Sequence, residues 1–131
     1  MAEKPPAARG SRGSAILLVD DDDDVARVFT RAFERAGMSV QRARNGREGV
    51  AMIRSGTPFQ AAVVDLVLPG IGGLEVVKAI RAGHPACRIV AVTGLAEPAL
   101  EAPLRTAGAD VFLVKPVDLD VLLKAIGVTA D

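Results

Sequence analysis

Four short apolar runs constrain the fold most: residues 16–19 (ILLV), 61–64 (AAVV), 89–92 (IVAV) and 111–114 (VFLV). None alternates with polar residues, so each reads as a strand covered on both faces, the situation of a parallel sheet with helices above and below it. A polar or charged residue follows each run: Asp20 and Asp21 after the first, Asp65, Thr93 and Lys115 after the others. A fifth segment, Ser39–Ala43, mixes Val40 with Gln41 and Arg42 and is expected to have a wet face or to sit at a sheet edge.

Between the strands, apolar residues return at helical spacing. Val25, Val28, Phe29, Ala32 and Phe33 form one stripe, with Arg27, Arg31, Glu34 and Arg35 opposite and Gly37 as a stop. Gly49, Val50 and Ile53 carry a second helix between a capping Asn45 and Gly56, and Leu74, Val77 and Ile80 a third that ends near Gly83. Leu119, Leu122, Leu123 and Ile126 carry the last, with Asp118 as its cap. The stretch after Glu97 contains Pro98 and Pro103, and a proline inside a helix costs roughly 3 kcal/mol. An irregular, mobile segment is therefore expected there, with a short helix starting at Pro103 and ending at Thr106 or Ala107. Strands alternating with helices through short connections imply an α/β, doubly wound parallel sheet with right-handed crossovers.

Composition narrows the function classes. The chain has 131 residues, with sixteen basic side chains balanced by sixteen acidic ones, so nothing in its net charge favours nucleic acid or an anionic membrane. The single cysteine, Cys87, cannot form an intramolecular disulfide and has no histidine and aspartate set to activate it. Residues 1–14 lack the apolar stretch of a secretory signal and read as a flexible tail whose Lys4, Arg9 and Arg12 are solvated. No apolar run approaches the roughly 18 residues of a membrane span, so a cytoplasmic location is expected. The folded domain is placed at 15–127, with 128–131 as a short C-terminal tail. The one histidine, His84, lies in a loop beside Pro85 and is expected to be exposed.

Side chains at the carboxyl ends of parallel strands converge on a crevice where the strand order reverses. In this chain that brings together the carboxylates of Asp20, Asp21 and Asp65, the Thr93 hydroxyl beside the small Gly94, and the Lys115 ammonium. Three converging carboxylates repel one another and call for a hard cation, for which Mg²⁺ is suited, with Mn²⁺ able to substitute. Such an ion leaves positions open for a phosphate. Lys115 can neutralise a second phosphate oxygen, and Thr93 with Gly94 offers a hydrogen bond and room. A carboxylate can itself act as the nucleophile in phosphoryl transfer, and the one bordered by all the others is Asp65.

The segments ILLVDD (16–21), VVDLVLPG (63–70), IVAVTG (89–94) and LVKP (113–116) together resemble the receiver domain of two-component response regulators over nearly all of 15–127. The resemblance implies a flavodoxin-like five-stranded sheet of order 2-1-3-4-5 and Asp65 as phosphoacceptor. It makes Asp20 and Asp21 the acidic pair, with Asp21 favoured as the direct Mg²⁺ ligand and the Val67 carbonyl as another. It also implies that Thr93 and Lys115 bind phosphoryl oxygens, that Lys115-Pro116 is cis, and that Phe112 takes the position of an aromatic switch. The phosphoryl group would come from a histidine kinase or a phosphotransfer histidine. The signal would leave through protein contacts of the face formed by the segment after Glu97, the last strand and the last helix, which could also form a homodimer. No direct nucleic-acid or membrane contact is expected, and the chain would be a self-phosphorylating acceptor rather than a turnover enzyme.

Some residues depart from the family pattern. Gly72 precedes Gly73 where the family has an acidic residue, Phe112 lacks a hydroxyl, and Val67 and Leu95 are apolar at positions that influence the attacking water. Because neither Val67 nor Leu95 can hydrogen-bond a water, a long-lived phosphoryl state is expected. Two other functions compete. Asp21, Asp23 and Val25 superficially match a Mg²⁺-dependent haloacid-dehalogenase-like phosphatase, which would leave Asp65 idle, and the chain could be a receiver-like interaction module independent of phosphate. Asp22, Asp23 and Asp24 read as acids at a helix start. A calcium-binding EF-hand loop is excluded by Val25 and Arg31, which stand where glycine and glutamate are needed. Without a recognisable DNA-binding or enzymatic segment after Gly127, protein contact or a separated effector is the expected output.

Overall fold

A computed structural model describes residues 15–67, 72–94 and 98–127 of the chain. The expected tails at 1–14 and 128–131, and Leu95, lie outside these residues. The elements run β1 (Ala15–Val19), α1 (Asp23–Arg35), β2 (Ser39–Ala43), α2 (Gly46–Arg54), β3 (Ala61–Asp65), α3 (Gly73–Gly83), β4 (Arg88–Thr93), α4 (Pro98–Ala107), β5 (Val111–Val114) and α5 (Leu119–Ala125). All strand pairs are parallel, in the order β2-β1-β3-β4-β5.

The two sides of the sheet can be read from the alternation along each strand. Leu17, Val19, Ala62, Val64, Ile89 and Ala91 pack with Ile53 of α2, Val76, Val77 and Ile80 of α3 and Leu104 of α4. Ile16, Leu18, Ala61, Val63, Val90 and Val92 pack with Ala26, Phe29 and Phe33 of α1 and with Leu122 and Ala125 of α5. Every residue of β1 and β3 is buried, as the continuous apolar runs require. Two helix starts follow the expected caps, Asn45 and Asp118, and α1 is capped by Asp22. Asn45 accepts from the Glu48 N–H at 2.8 Å, Asp118 from the Asp120 N–H at 2.8 Å, and Asp22 from the Asp24 and Val25 N–H groups at 2.9 and 3.1 Å. Gly37, with φ 90°, closes α1 in a conformation that disfavours a side chain.

Three expectations are corrected. Instead of a short helix beginning at Pro103, α4 runs from Pro98 to Ala107 with Pro103 inside it. Pro98 stands at the first helical position, where a missing N–H costs nothing. Pro103 forfeits the bond to the Ala99 carbonyl and crowds that carbonyl, and burial of Leu104 to 3% exposure works against that cost. Second, β5 is covered only in part: Phe112 packs on one core and Val111 and Leu113 on the other, but all three stay half-buried and Val114 is 41% exposed, because β5 is an edge strand with β4 as its one partner. Third, His84 is half-buried. It is the residue that ends α3, its Nε2 lies 2.8 Å from the Thr57 carbonyl oxygen, and its ring tilts against Phe59 at 6.0 Å. Among the described residues no helix is long and apolar enough to cross a membrane.

Candidate functional site

The strand order reverses between β1 and β3, which places the residues that end these strands side by side. Asp20 follows β1, and its main chain is held from β2: its N–H donates to the Ala43 carbonyl at 3.1 Å, and its own carbonyl accepts from Arg42 Nε at 3.0 Å. Its Oδ1 accepts from the Asp22 N–H at 2.9 Å. Asp65 is the last residue of β3, and its Oδ1 accepts from the Val67 N–H at 3.0 Å. In both residues one oxygen is tied to a local amide and the other faces Lys115, whose Nζ lies 3.2 Å from Asp65 Oδ2 and 3.6 Å from Asp20 Oδ2. Asp20 and Asp65 are buried, at 2% and 5% exposure, while Asp21 is exposed. One oxygen from each of Asp20, Asp21 and Asp65 falls within 4.8 Å of the others.

The electrostatics of this pocket favour a cation. Burial pushes the Asp20 carboxyl above its ordinary value of 3.8, and repulsion from Asp65 and Asp21 adds to the rise; the Asp22 amide and Lys115 oppose it without cancelling it. For Lys115 burial acts downward, but attraction to Asp20 and contact with Asp65 outweigh it, so the ammonium sits above its ordinary 10.5 and is charged at neutral pH. One ammonium thus faces two of the three clustered carboxylates. The donors are hard oxygens, two anchored and one open to solvent, a set suited to a divalent cation that retains water.

Thr93, 1% exposed, ends β4, and its carbonyl accepts from the Lys115 N–H at 2.7 Å. Gly94 follows it, exposed, and a Cβ there would meet no atom within 4 Å among the described residues. Val67 is 63% exposed. The Lys115-Pro116 peptide is cis. Phe112, opposite Ala91 in the neighbouring strand, is half-buried against the core beneath α2, α3 and α4. Gly72 precedes α3 without any side-chain cap.

Two residues of the site were missed in the sequence. Gly73 begins α3, and a Cβ on it would stand 2.6 Å from the Leu66 Cα and 2.9 Å from the Asp65 carbonyl oxygen, so only glycine lets this helix start against the Asp65 loop. The Gly72-Gly73 doublet was the available signal. Arg42 was read as part of a wet strand face, yet it reaches the Asp20 carbonyl and pairs with Asp23 at 2.8 Å, while Arg44 pairs with Asp23 at 3.1 Å. Nothing local announces this, since the partners of Arg42 are remote from it in sequence.

Comparison with known proteins agrees with the fold. Residues 16–127 match the response regulator receiver domain family. The photosynthetic apparatus regulatory protein RegA of Rhodobacter capsulatus is 37% identical over 126 residues, covering 96% of this chain and 67% of that protein. A cyclic di-GMP phosphodiesterase of Thermotoga maritima is 35% identical over 107 residues, 82% of this chain but 28% of the relative's length. This chain therefore corresponds to one part of these relatives. Among solved structures, a CheY-like receiver domain of Methanospirillum hungatei superposes with a TM-score of 0.81 at 32% identity, covering 86% of this chain and 90% of that one. A response regulator of Burkholderia pseudomallei, solved with a phosphorylated aspartic acid, calcium ion and citrate, does so with a TM-score of 0.81 at 30% identity, over 86% and 66% of the two chains. The strand order, the acids gathered where it reverses and a family match across 16–127 lead to one conclusion: this chain belongs to the receiver domains of two-component response regulators.

Proposed function

We propose that Asp65 is the phosphoacceptor and that Asp20, Asp21, Asp65 and the Val67 carbonyl hold Mg²⁺ beside it. The observation that carries this reading is the buried Asp65 carboxylate, whose Oδ2 lies 3.2 Å from the Lys115 ammonium and which offers one oxygen within 4.8 Å of oxygens of Asp20 and Asp21. The donor is a histidine kinase or a phosphotransfer protein. One Asp65 oxygen attacks the phosphorus of a phosphohistidine, the N–P bond breaks, and its electron pair returns to the imidazole nitrogen, which is then protonated. When bound, Mg²⁺ supplies positive charge to the phosphoryl oxygens. Lys115 offers a second positive charge, and the Val67 amide holds the attacking carboxylate in place before transfer.

In the phosphorylated state the Thr93 hydroxyl and the Lys115 ammonium turn to the new oxygens, and the open space at Gly94 lets Phe112 rotate inward, biasing an active arrangement already accessible to the fold. The signal leaves through a cytoplasmic protein target on the α4, β5 and α5 face, where β5 is half-exposed and Val114 and Val121 are 41% and 47% exposed. With Val67 unable to orient a water, the phosphoryl state is long-lived.

Incubation with acetyl phosphate and Mg²⁺ followed by intact-mass measurement tests the reading. One phosphoryl group per chain is expected in the wild type and none in Asp65→Asn. Steady turnover of a phosphomonoester would favour a phosphatase instead, and absence of any label in the wild type would favour a binding module. Self-hydrolysis of the labelled chain within minutes would overturn the long-lived state.

A further inference from the structure

We propose that Arg42 is a positioning residue for the metal-binding loop, an inference that rests on the reading of Asp20, Asp21 and Asp65 as a Mg²⁺ site. Asp20 and Asp21 follow β1 in a loop whose carboxylates converge with that of Asp65, an arrangement that mutual repulsion tends to open. Something must hold the loop in place before the cation arrives. β2 does so from two successive residues: the Ala43 carbonyl takes the Asp20 N–H at 3.1 Å, and Arg42 Nε donates to the Asp20 carbonyl at 3.0 Å. The Asp20 main chain is thus fixed on both of its polar groups. Arg42 Nη1 also reaches Asp23 at 2.8 Å, so one planar guanidinium bridges the two ends of the loop that contains Asp21.

The surroundings of Arg42 are unlike those of a surface charge. Its side chain is 20% exposed, and Nη2 is buried without a hydrogen-bond partner among the described residues. A buried unsatisfied donor works against stability, and an apolar side chain at this half-buried position would avoid it. The cost is understandable if the fork geometry of arginine is needed for the loop. Residues that orient the ligands of a metal change its affinity by 10–100-fold when removed.

Charge alone predicts the opposite outcome. A guanidinium close to the pocket repels a divalent cation, so if Arg42 acted only through its charge, removing it would tighten Mg²⁺ binding. The experiment is a Mg²⁺ titration of the whole chain followed by amide NMR, on the wild type, Arg42→Met and Arg42→Lys, with Asp65→Asn marking the site. Arg42→Met keeps the apolar stem, and Arg42→Lys keeps the charge but cannot bridge the two partners. Both are expected to bind Mg²⁺ about 10-fold more weakly than the wild type, with acetyl phosphate labelling restored at saturating Mg²⁺. Melting temperatures establish that each variant is folded during the titration, and Arg42→Lys carries the test if Arg42→Met does not fold. Affinities equal to or tighter than the wild type in a folded variant would overturn the role of Arg42, even if that variant melted earlier. A wild type that binds no Mg²⁺ at Asp65 would overturn the metal site itself, and this inference with it.

Discussion

Asp20 and Asp65 are nearly buried, and each has one oxygen held by a main-chain amide two residues on and the other turned to Lys115. Such a pocket stores repulsion in the absence of metal. The Asp20 carboxyl lies above its ordinary value in the folded state, so its contribution to stability is present below pH 3.8 and lost as the pH rises through the raised value. Asp20→Asn keeps an acceptor for the Asp22 amide and removes the charge. In chelator, the variant is expected to melt a few degrees above the wild type, by a margin that widens as the pH rises through that window and then levels off; a variant less stable than the wild type at neutral pH would refute this. Cys87 shows burial acting on a different group. Desolvation pushes its thiol up to about 11 from 9.0, with Arg81 and Asp110 making smaller opposed contributions. Two pH units reduce the reactive thiolate about 100-fold, so alkylation at pH 8 should be slower than in urea by at least that factor. The thiol's stabilising effect is present below pH 9.0 and disappears as the pH rises through about 11.

At the scale of elements, the strands that were easiest to recognise are those with a helix on each face. The apolar runs at 16–19, 61–64 and 89–92 lie within β1, β3 and β4, because burial on both sides admits no polar residue until the strand ends. β5 has the same composition, yet it is an edge strand and half-exposed, since apolar content records what a strand tolerates and not which neighbours it has. α4 was misjudged for the converse reason: Pro103 was weighed by its local cost, and the burial of Leu104 against the sheet was invisible in the sequence. Pro103→Ala restores a donor for the Ala99 carbonyl. Urea unfolding should show stabilisation of roughly 1–2 kcal/mol after allowing for the greater freedom of the unfolded chain, and no gain would mean that α4 does not hold its helix through residue 103.

For the whole molecule, ligand binding and folding are linked through the pocket. A cation that binds the folded chain alone adds about 2.7 kcal/mol at one hundred times its Kd, so Mg²⁺ should raise the melting temperature of the wild type and leave Asp21→Asn, which loses an exposed ligand, nearly unchanged; an equal rise in both would place the ion elsewhere. The five strands, the two-sided covering by helices and the residues that end each strand were all present in the linear pattern, because hydrophobic period and strand-terminal polarity are local properties. So was the gathering of Asp20, Asp21, Asp65, Thr93 and Lys115, since every parallel strand ends on the same edge of the sheet. Tertiary structure alone decided how far β5 would stay exposed, that Gly73 had to lack a side chain against Leu66, and that Arg42 would reach across from β2 to the Asp20 carbonyl. These depend on distances between segments far apart in the chain, which a one-dimensional pattern does not contain.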